Sequence, residues 1–310
     1  MNLMNALVCF VHLVVIWLIC DGVSFVFHKA TKHERKKYLA GAFAMAFCAL
    51  YLALGYFLAH HVTVEKYEFE SSKIKYDVRI VQITDAHVGS TFHADRFCEY
   101  IEEINTLSPD AVVITGDFVD DDTSRDDMTG ACDALGKLST KSGVYFVYGN
   151  HDRGYYREES KGWGNVEFEE RLLQNGVVIL KDEAVLIDDS YYIVGRRDRS
   201  EENRGGRMSA EELTESLDRS KYIIMLDHQP YDFDSEARSG ADLVLCGHTH
   251  GGQFIPINHV GEWIGENCLR YGHERRGDTD FIVSSGISNW TFKFKTGCHS
   301  EYVVADIKSK

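Results

Sequence analysis

The chain has 310 residues, 44% hydrophobic and 26% charged with only 3 Pro, a globular composition long enough for one large domain or two ordinary ones. Its formal charge at pH 7 is −15, unevenly spread: residues 1–62 carry 5 Lys/Arg against 2 Asp/Glu, and the remainder 28 against 46. A surface this acidic repels polyanions, which excludes duplex DNA and RNA as expected partners and leaves small substrates and lipid head groups open.

Residues 3–20 form an 18-residue stretch without formal charge, and residues 38–58 form one of 21. About 20 apolar residues cross a bilayer core, so residues 1–62 are predicted to be a two-helix transmembrane hairpin with the lipid bilayer as partner. Residues 23–27 can extend the first span past Asp21 and Gly22. No Lys or Arg precedes the first apolar run, which weighs against a cleaved signal peptide. His12, within that run, reads as a packed side chain rather than a proton or metal site. Between the spans lies HKATKHERKK (28–37), with five Lys/Arg in nine residues from Lys29. Cationic loops stay in the cytoplasm, which would place the bulk of the chain on the outer face of the cell membrane. Contact with anionic lipid, the other use of such a loop, implies the same side.

Residues 63–76 read as a polar connector and 77–310 as one domain. VRIVQIT (78–84) is a predicted strand ending at Asp85, and a helix follows from 94 to about 107, with Phe97, Tyr100, Ile101 and Ile104 at helical spacing. AVVIT (111–115) is a buried-type strand running into GDFVD. A helix over 127–138 leads to the strand GVYFVYG (143–149), and another over 165–175 closes at Asn175-Gly176. VVIL, AVLI and YYIV are short strands, with Asp188-Asp189 turning between the last two. Ser209 and Glu212 form a capping box that starts a helix to about Leu217. YIIMLD (222–227), DLVLC (242–246), FIVSSG (281–286) and EYVVADI (301–307) complete the strands. The eight Cys show no CxxC pairing and read as small buried hydrophobes, Cys246 most clearly. Five of them outside the hairpin sit awkwardly with an oxidising compartment.

Five strings carry the chemistry: TDAHVG (84–89), GDFVD (116–120), GNHD (149–152), LDHQP (226–230) and LCGHTHGGQ (245–253). Each follows an apolar strand, the logic of an α/β sandwich in which rigid strands aim and loops react. Carboxylate, amide and imidazole donors without thiolate suit two divalent cations, Mn²⁺ first, with Fe or Zn²⁺ as alternatives. Two such ions clamp a phosphoryl group and make hydroxide from water at neutral pH. Taken singly, each Asp or His could be a satisfied loop residue. Asp120 reads either as an orienter of the ligands or as a helix-start carboxylate.

In this set and order the strings resemble the calcineurin-like metallophosphoesterase superfamily. YIVGRRDRS (192–200) and VSSGIS (283–288) extend the likeness to its membrane-tethered bacterial branch of phosphodiesterases and UDP-diacylglucosamine hydrolases. The resemblance implies an α/β fold, a four-layer α/β/β/α sandwich behind the transmembrane hairpin. It implies one metal held by Asp85, His87 and His250, another by Asn150, His228 and His248, and Asp117 bridging them. His151 matches the transition-state His of the family, and Asp152 is expected to orient that imidazole. The implied activity is hydrolysis of a lipid-linked or small phosphodiester or pyrophosphate by metal-activated hydroxide. A phosphomonoesterase, or a metal-binding membrane scaffold whose catalysis has lapsed, is the alternative. Serine/threonine phosphatases of the superfamily continue this GDxxD with Arg-Gly, whereas Asp121-Asp122 stands here.

Two further segments are candidates for substrate contact. The loop GRRDRSEENRGGR (195–207) offers Arg196 and Arg197 as phosphate contacts, or else its charges pair within the loop. SNWTFKFKTG (288–297) is a candidate rim touching the membrane or an acyl chain, or else an ordinary alternating strand.

Overall fold

Two apolar helices lead the chain, α1 over Leu3–Thr31 and α2 over Ala40–His60, both long and apolar enough to cross a membrane. A computed structural model describes residues 3–32, 38–152, 161–204, 206–266 and 268–310. Of the basic loop read from 28–37, residues 28–31 belong to the end of α1 and 33–37 lie outside the described residues. α1 does not end at Cys20 but runs through Asp21 and Gly22. The Tyr38 hydroxyl donates to Asp21 Oδ2 at 3.1 Å and accepts from Trp17 Nε1 at 2.6 Å, so one oxygen of the carboxylate inside the apolar helix meets a donor beside α2.

The segment read as a connector is instead a strand. β1 (Val62–Ser71) pairs in parallel with the last strand, β12 (Ser300–Ser309), over ten residues. Its charges alternate with Tyr67 and Phe69, which face inward while Lys66, Glu68 and Glu70 face water. Such a half-solvated edge strand tolerates charge on one face, which also discourages pairing with other chains.

The remaining strands of this sheet are β2 (Val78–Ile83), β3 (Ala111–Thr115), β4 (Val144–Val147) and β5 (Val177–Ile179), in the order β1-β12-β2-β3-β4-β5. From β2 to β5 they run parallel. The second sheet has the order β10-β11-β9-β8-β7-β6. Its members are β6 (Glu183–Ile187), β7 (Tyr191–Gly195), β8 (Tyr222–Leu226), β9 (Leu243–Cys246), β10 (Gly272–Arg276) and β11 (Thr279–Val283). β10 was not expected from the sequence, because GHERR carries three charges and no apolar side chain.

The central strands are apolar on both faces because both faces are covered. Ile80, Val113, Tyr145, Ile224 and Leu245 meet between the sheets. Val81, Val112 and Phe146 turn outward against α3 (Ala94–Thr106), α4 (Arg125–Leu135) and α5 (Asn165–Gln174), which contribute Phe97, Met128 and Phe168. On the other side Ile223, Met225 and Val244 pack on α6 (Ala210–Thr214) and α7 (Phe233–Ser239) through Leu213 and Phe233. The result is the four-layer α/β/β/α sandwich. The Ser209 capping box has both of its hydrogen bonds, although α6 stops at Thr214 rather than near Leu217. All eight Cys are unpaired, and Cys246 is fully buried between sheet and helices.

Candidate metal centre and active site

The parallel strands of both sheets end on one side of the sandwich, and the five motif loops follow them there. β2 leads to Asp85 and His87, β3 to Asp117 and Asp120, β4 to Asn150 and His151, β8 to His228, and β9 to His248 and His250. Bringing so many polar groups together distorts the backbone: Asp85, His87, Asp117, His248 and His250 all have φ between +37° and +69°. Side chains avoid that region, and such strain persists where a site demands it. Gly116 (φ +87°) lets the β3 and β4 loops cross, since a Cβ there would come within 2.5 Å of the Gly149 nitrogen.

Two clusters result. Asp85, His87 and His250 place ligand atoms within 4.8 Å of one another, and Asp117, His228 and His248 do the same. Asp117 lies between them, its Oδ2 3.1 Å from His228 Nε2 and 3.7 Å from His87 Nε2. The rings are held in the tautomers that ligation needs. His228 Nδ1 sits 2.8 Å from the Thr115 carbonyl, which can only accept, so Nε2 faces Asp117. Likewise His87 Nδ1 lies 2.9 Å from Asp120 Oδ2, leaving Nε2 turned toward Asp85 and Asp117. Asp120 is thus an orienter of His87 rather than a helix-start carboxylate.

The electrostatics call for a cation. Burial opposes charge on His87 and His228, yet the surrounding carboxylates raise both above their ordinary range. Burial likewise disfavours the charge on Asp117, and His228 and His87 outweigh it. Burial pushes His248 down to about 3, helped by the charge of His228, and lowers His250 strongly, so both offer neutral lone pairs. Oδ1 of Asn150 and Nδ1 of His250 are buried without a hydrogen-bond partner among the described residues. Buried carboxylates facing imidazole nitrogens, with unused donors between them, fit two divalent ions.

Other expectations are corrected. Asp152 does not orient His151. Its two oxygens accept from the backbone nitrogens of Asp117 (2.7 Å), Phe118 (2.8 Å), Val119 (3.1 Å) and Gly149 (2.8 Å), so it clamps the β3 loop instead. Burial and the charge of Asp117 push its carboxyl up to about 7. Arg196 is 1% exposed and pairs with Asp227 (2.8 Å), Glu236 (3.3 Å) and Asp232 (3.3 Å). Arg197 reaches Asp182 and Glu201, both at 3.5 Å. Neither lines the cavity at the metal centre. The run 288–297 divides: Trp290 stands 5.1 Å from the His151 ring, whereas Lys295 is fully buried and donates to the Ser285 carbonyl at 2.7 Å. His12 packs among Tyr51, Phe254 and Phe294. No signal in the sequence placed α1 beside these loops.

A four-layer sandwich with paired ligand clusters on its strand-end loops defines a metallophosphoesterase. Residues 78–252 match the calcineurin-like phosphoesterase family, and the chain belongs to it. It is 31% identical to an uncharacterized metallophosphoesterase of Campylobacter jejuni over 252 residues, 80% of this chain and 63% of that one. It is 30% identical to the transmembrane protein with metallophosphoesterase domain of Bos taurus over 239 residues, 72% of this chain and 51% of that one. An uncharacterized metallophosphoesterase of Aquifex aeolicus is 32% identical over 263 residues, 81% of this chain and 94% of that one. The chain therefore spans between half and two thirds of the first two relatives.

Proposed function

We propose that the chain is a membrane-anchored phosphoesterase that uses two divalent cations, Mn²⁺ before Fe or Zn²⁺, to hydrolyse a phosphodiester or pyrophosphate bond of a lipid-linked substrate. The observation that carries this reading is the pair of ligand clusters lining an apolar cavity, with Asp117 of one 3.7 Å from His87 of the other. Asp85, His87 and His250 would hold one ion, Asn150, His228 and His248 the other, and Asp117 both. When bound, such ions supply positive charge for the phosphoryl oxygens and acidify water.

The chain's own residues do the rest. Asp120 and the Thr115 carbonyl fix the two imidazoles, and Asp152 holds the loop that carries Asp117. His151 faces the cavity beside Trp290, where its imidazole can donate to a phosphoryl oxygen or to the leaving group. The filled ligand positions and His151 support an active enzyme over a lapsed scaffold. The Lys/Arg-rich loop between the helices supports an extracytoplasmic catalytic domain, tested by protease accessibility of the 63–310 portion in intact cells.

The chemistry is tested on the full chain in detergent with Mn²⁺, comparing bis(p-nitrophenyl) phosphate with p-nitrophenyl phosphate. Faster hydrolysis of the diester is expected, with a loss of 100-fold or more in Asp117→Asn, on the order of other transition-state contacts. An enzyme that holds two ions by elemental analysis yet hydrolyses neither compound would overturn the reading.

A further inference from the structure

The metal centre and the first apolar helix line one open-sided cavity of about 1300 Å³. Leu7, Val11, Val15 and Ile19 of α1 line it, recurring every four residues and so sharing one helix face. From Leu7 to Ile19 that face runs about 18 Å. Opposite stand Phe254, Ile255 and Ile257, with Trp290 next to His151. The polar lining is concentrated at the site end, around Asp117, Asn150 and His151. The volume exceeds the roughly 300–1,000 Å³ of ordinary small-molecule clefts.

The helix is bolted to the domain and does not merely lie beside it. Asn5, 2% exposed, donates from Nδ2 to the Thr291 carbonyl at 3.1 Å and accepts from the Lys293 nitrogen at 3.2 Å. From α2, the Gly55 carbonyl accepts from the Lys295 nitrogen at 2.9 Å, and the Tyr51 hydroxyl reaches the Ile255 carbonyl at 3.4 Å. A tether alone needs none of these bonds.

We propose that α1 is a wall of the substrate site, and that the cavity seats the hydrocarbon chain of a membrane lipid whose phosphoester reaches the metal centre sideways from the bilayer. The occupant follows from continuity: one end of the cavity is a cation site for phosphate, and the other is the apolar face of a membrane-length helix. This rests on the phosphoesterase reading above, and adds that chain length is recognised and by which residues.

The test uses full-length enzyme with Mn²⁺ and p-nitrophenyl alkyl phosphodiesters of increasing chain length, each below its aggregation concentration. Leaving group and reacting bond stay constant, so only the chain varies. Each methylene seated in the cavity is expected to raise kcat/KM up to about fourfold, until the cavity is filled. Val11→Trp and Val15→Trp should flatten that slope. Phe10→Trp, at an exposed position outside the lining, should keep it. As a binding readout, a long-chain alkyl phosphate bearing a diazirine should label the Leu7–Ile19 face and the 254–257 segment. If the methyl diester is not hydrolysed at all, the phosphoesterase reading fails. Hydrolysis without chain-length dependence, a slope untouched by Val11→Trp and Val15→Trp, or label only on other faces overturns the present inference alone. A change confined to the oligomeric state of those variants also overturns it.

Discussion

The Asp120 carboxylate lies 2.9 Å from Nδ1 of His87, and that contact decides which nitrogen of the ring is left to face Asp85 and Asp117. Removing it frees the ring to rotate and to exchange tautomers. Asp120→Ala is therefore expected to weaken metal use about 10–100-fold, as losses of ligand-orienting partners do. The measurement is the Mn²⁺ concentration for half-maximal diester hydrolysis, and an unchanged value would make the contact ornamental. His299 offers a second test away from the metal centre. Its Nε2 lies 3.3 Å from Glu301 and 3.2 Å from Glu65, and the hydrogen bond to Glu301 raises its pKa above the ordinary value. A raised histidine stabilises the fold fully below the unfolded pKa of about 6.5 and loses that contribution as pH rises through the folded value. The melting-temperature gap between parent and His299→Ala should then be widest near pH 6 and shrink toward pH 8.5. A gap constant with pH would show that packing, not charge, is what the ring contributes. Asp152 shows where reading single residues fails. Its place beside His151 in the chain suggested a bond to that ring, but a side chain one residue on points elsewhere and finds the amides of a different loop.

At the scale of elements, the strands that deliver the motifs were legible because both of their faces are buried, so VRIVQI and YIIML read as continuous apolar runs. β1 was hidden by the opposite circumstance. An edge strand solvated on one face carries Glu and Lys at every second position, and its alternation of Tyr67 and Phe69 is only two apolar residues long. The arginines after β7 misled for a related reason, since an Arg-rich loop looks solvated or anion-binding until its partners are known. Those partners come from the end of β8 (Asp227) and from α7 (Glu236), both fully buried and neither near it in sequence. Arg196→Met should consequently cost about 3–5 kcal/mol, because Asp227 and Glu236 are left buried beside less positive charge. Urea unfolding would register that loss, while the KM for bis(p-nitrophenyl) phosphate of the folded fraction stays as in the parent. Intact stability with a raised KM would instead restore the expectation of a substrate contact.

For the molecule as a whole, the question is whether the hairpin and the sandwich behave as one body. Composition separates them, since one part is apolar with a small net positive charge and the other strongly acidic, and the sequence accordingly reads as an anchor followed by an enzyme. The seam between them is made of a few polar contacts in apolar surroundings, which no periodicity announces. Asn5 is the most informative of these because its two bonds reach Thr291 and Lys293, which flank the rim residue Phe292 of the cavity. Asn5→Leu keeps the side-chain volume similar but removes the partner of a part-buried carbonyl and a part-buried amide, at up to about 1–3 kcal/mol each. That cost exceeds what a short loop can absorb locally, so the rim should detach from α1 before the sandwich loosens. Hydrogen exchange at the Lys293 amide is then expected to quicken by at least tenfold, while amides in β2 and β3 keep their protection and the protein still binds two metal ions. Equal quickening throughout would mean that the hairpin stabilises the whole domain. No change at Lys293 would mean that helix and rim are independent, and the cavity wall would have to be sought elsewhere.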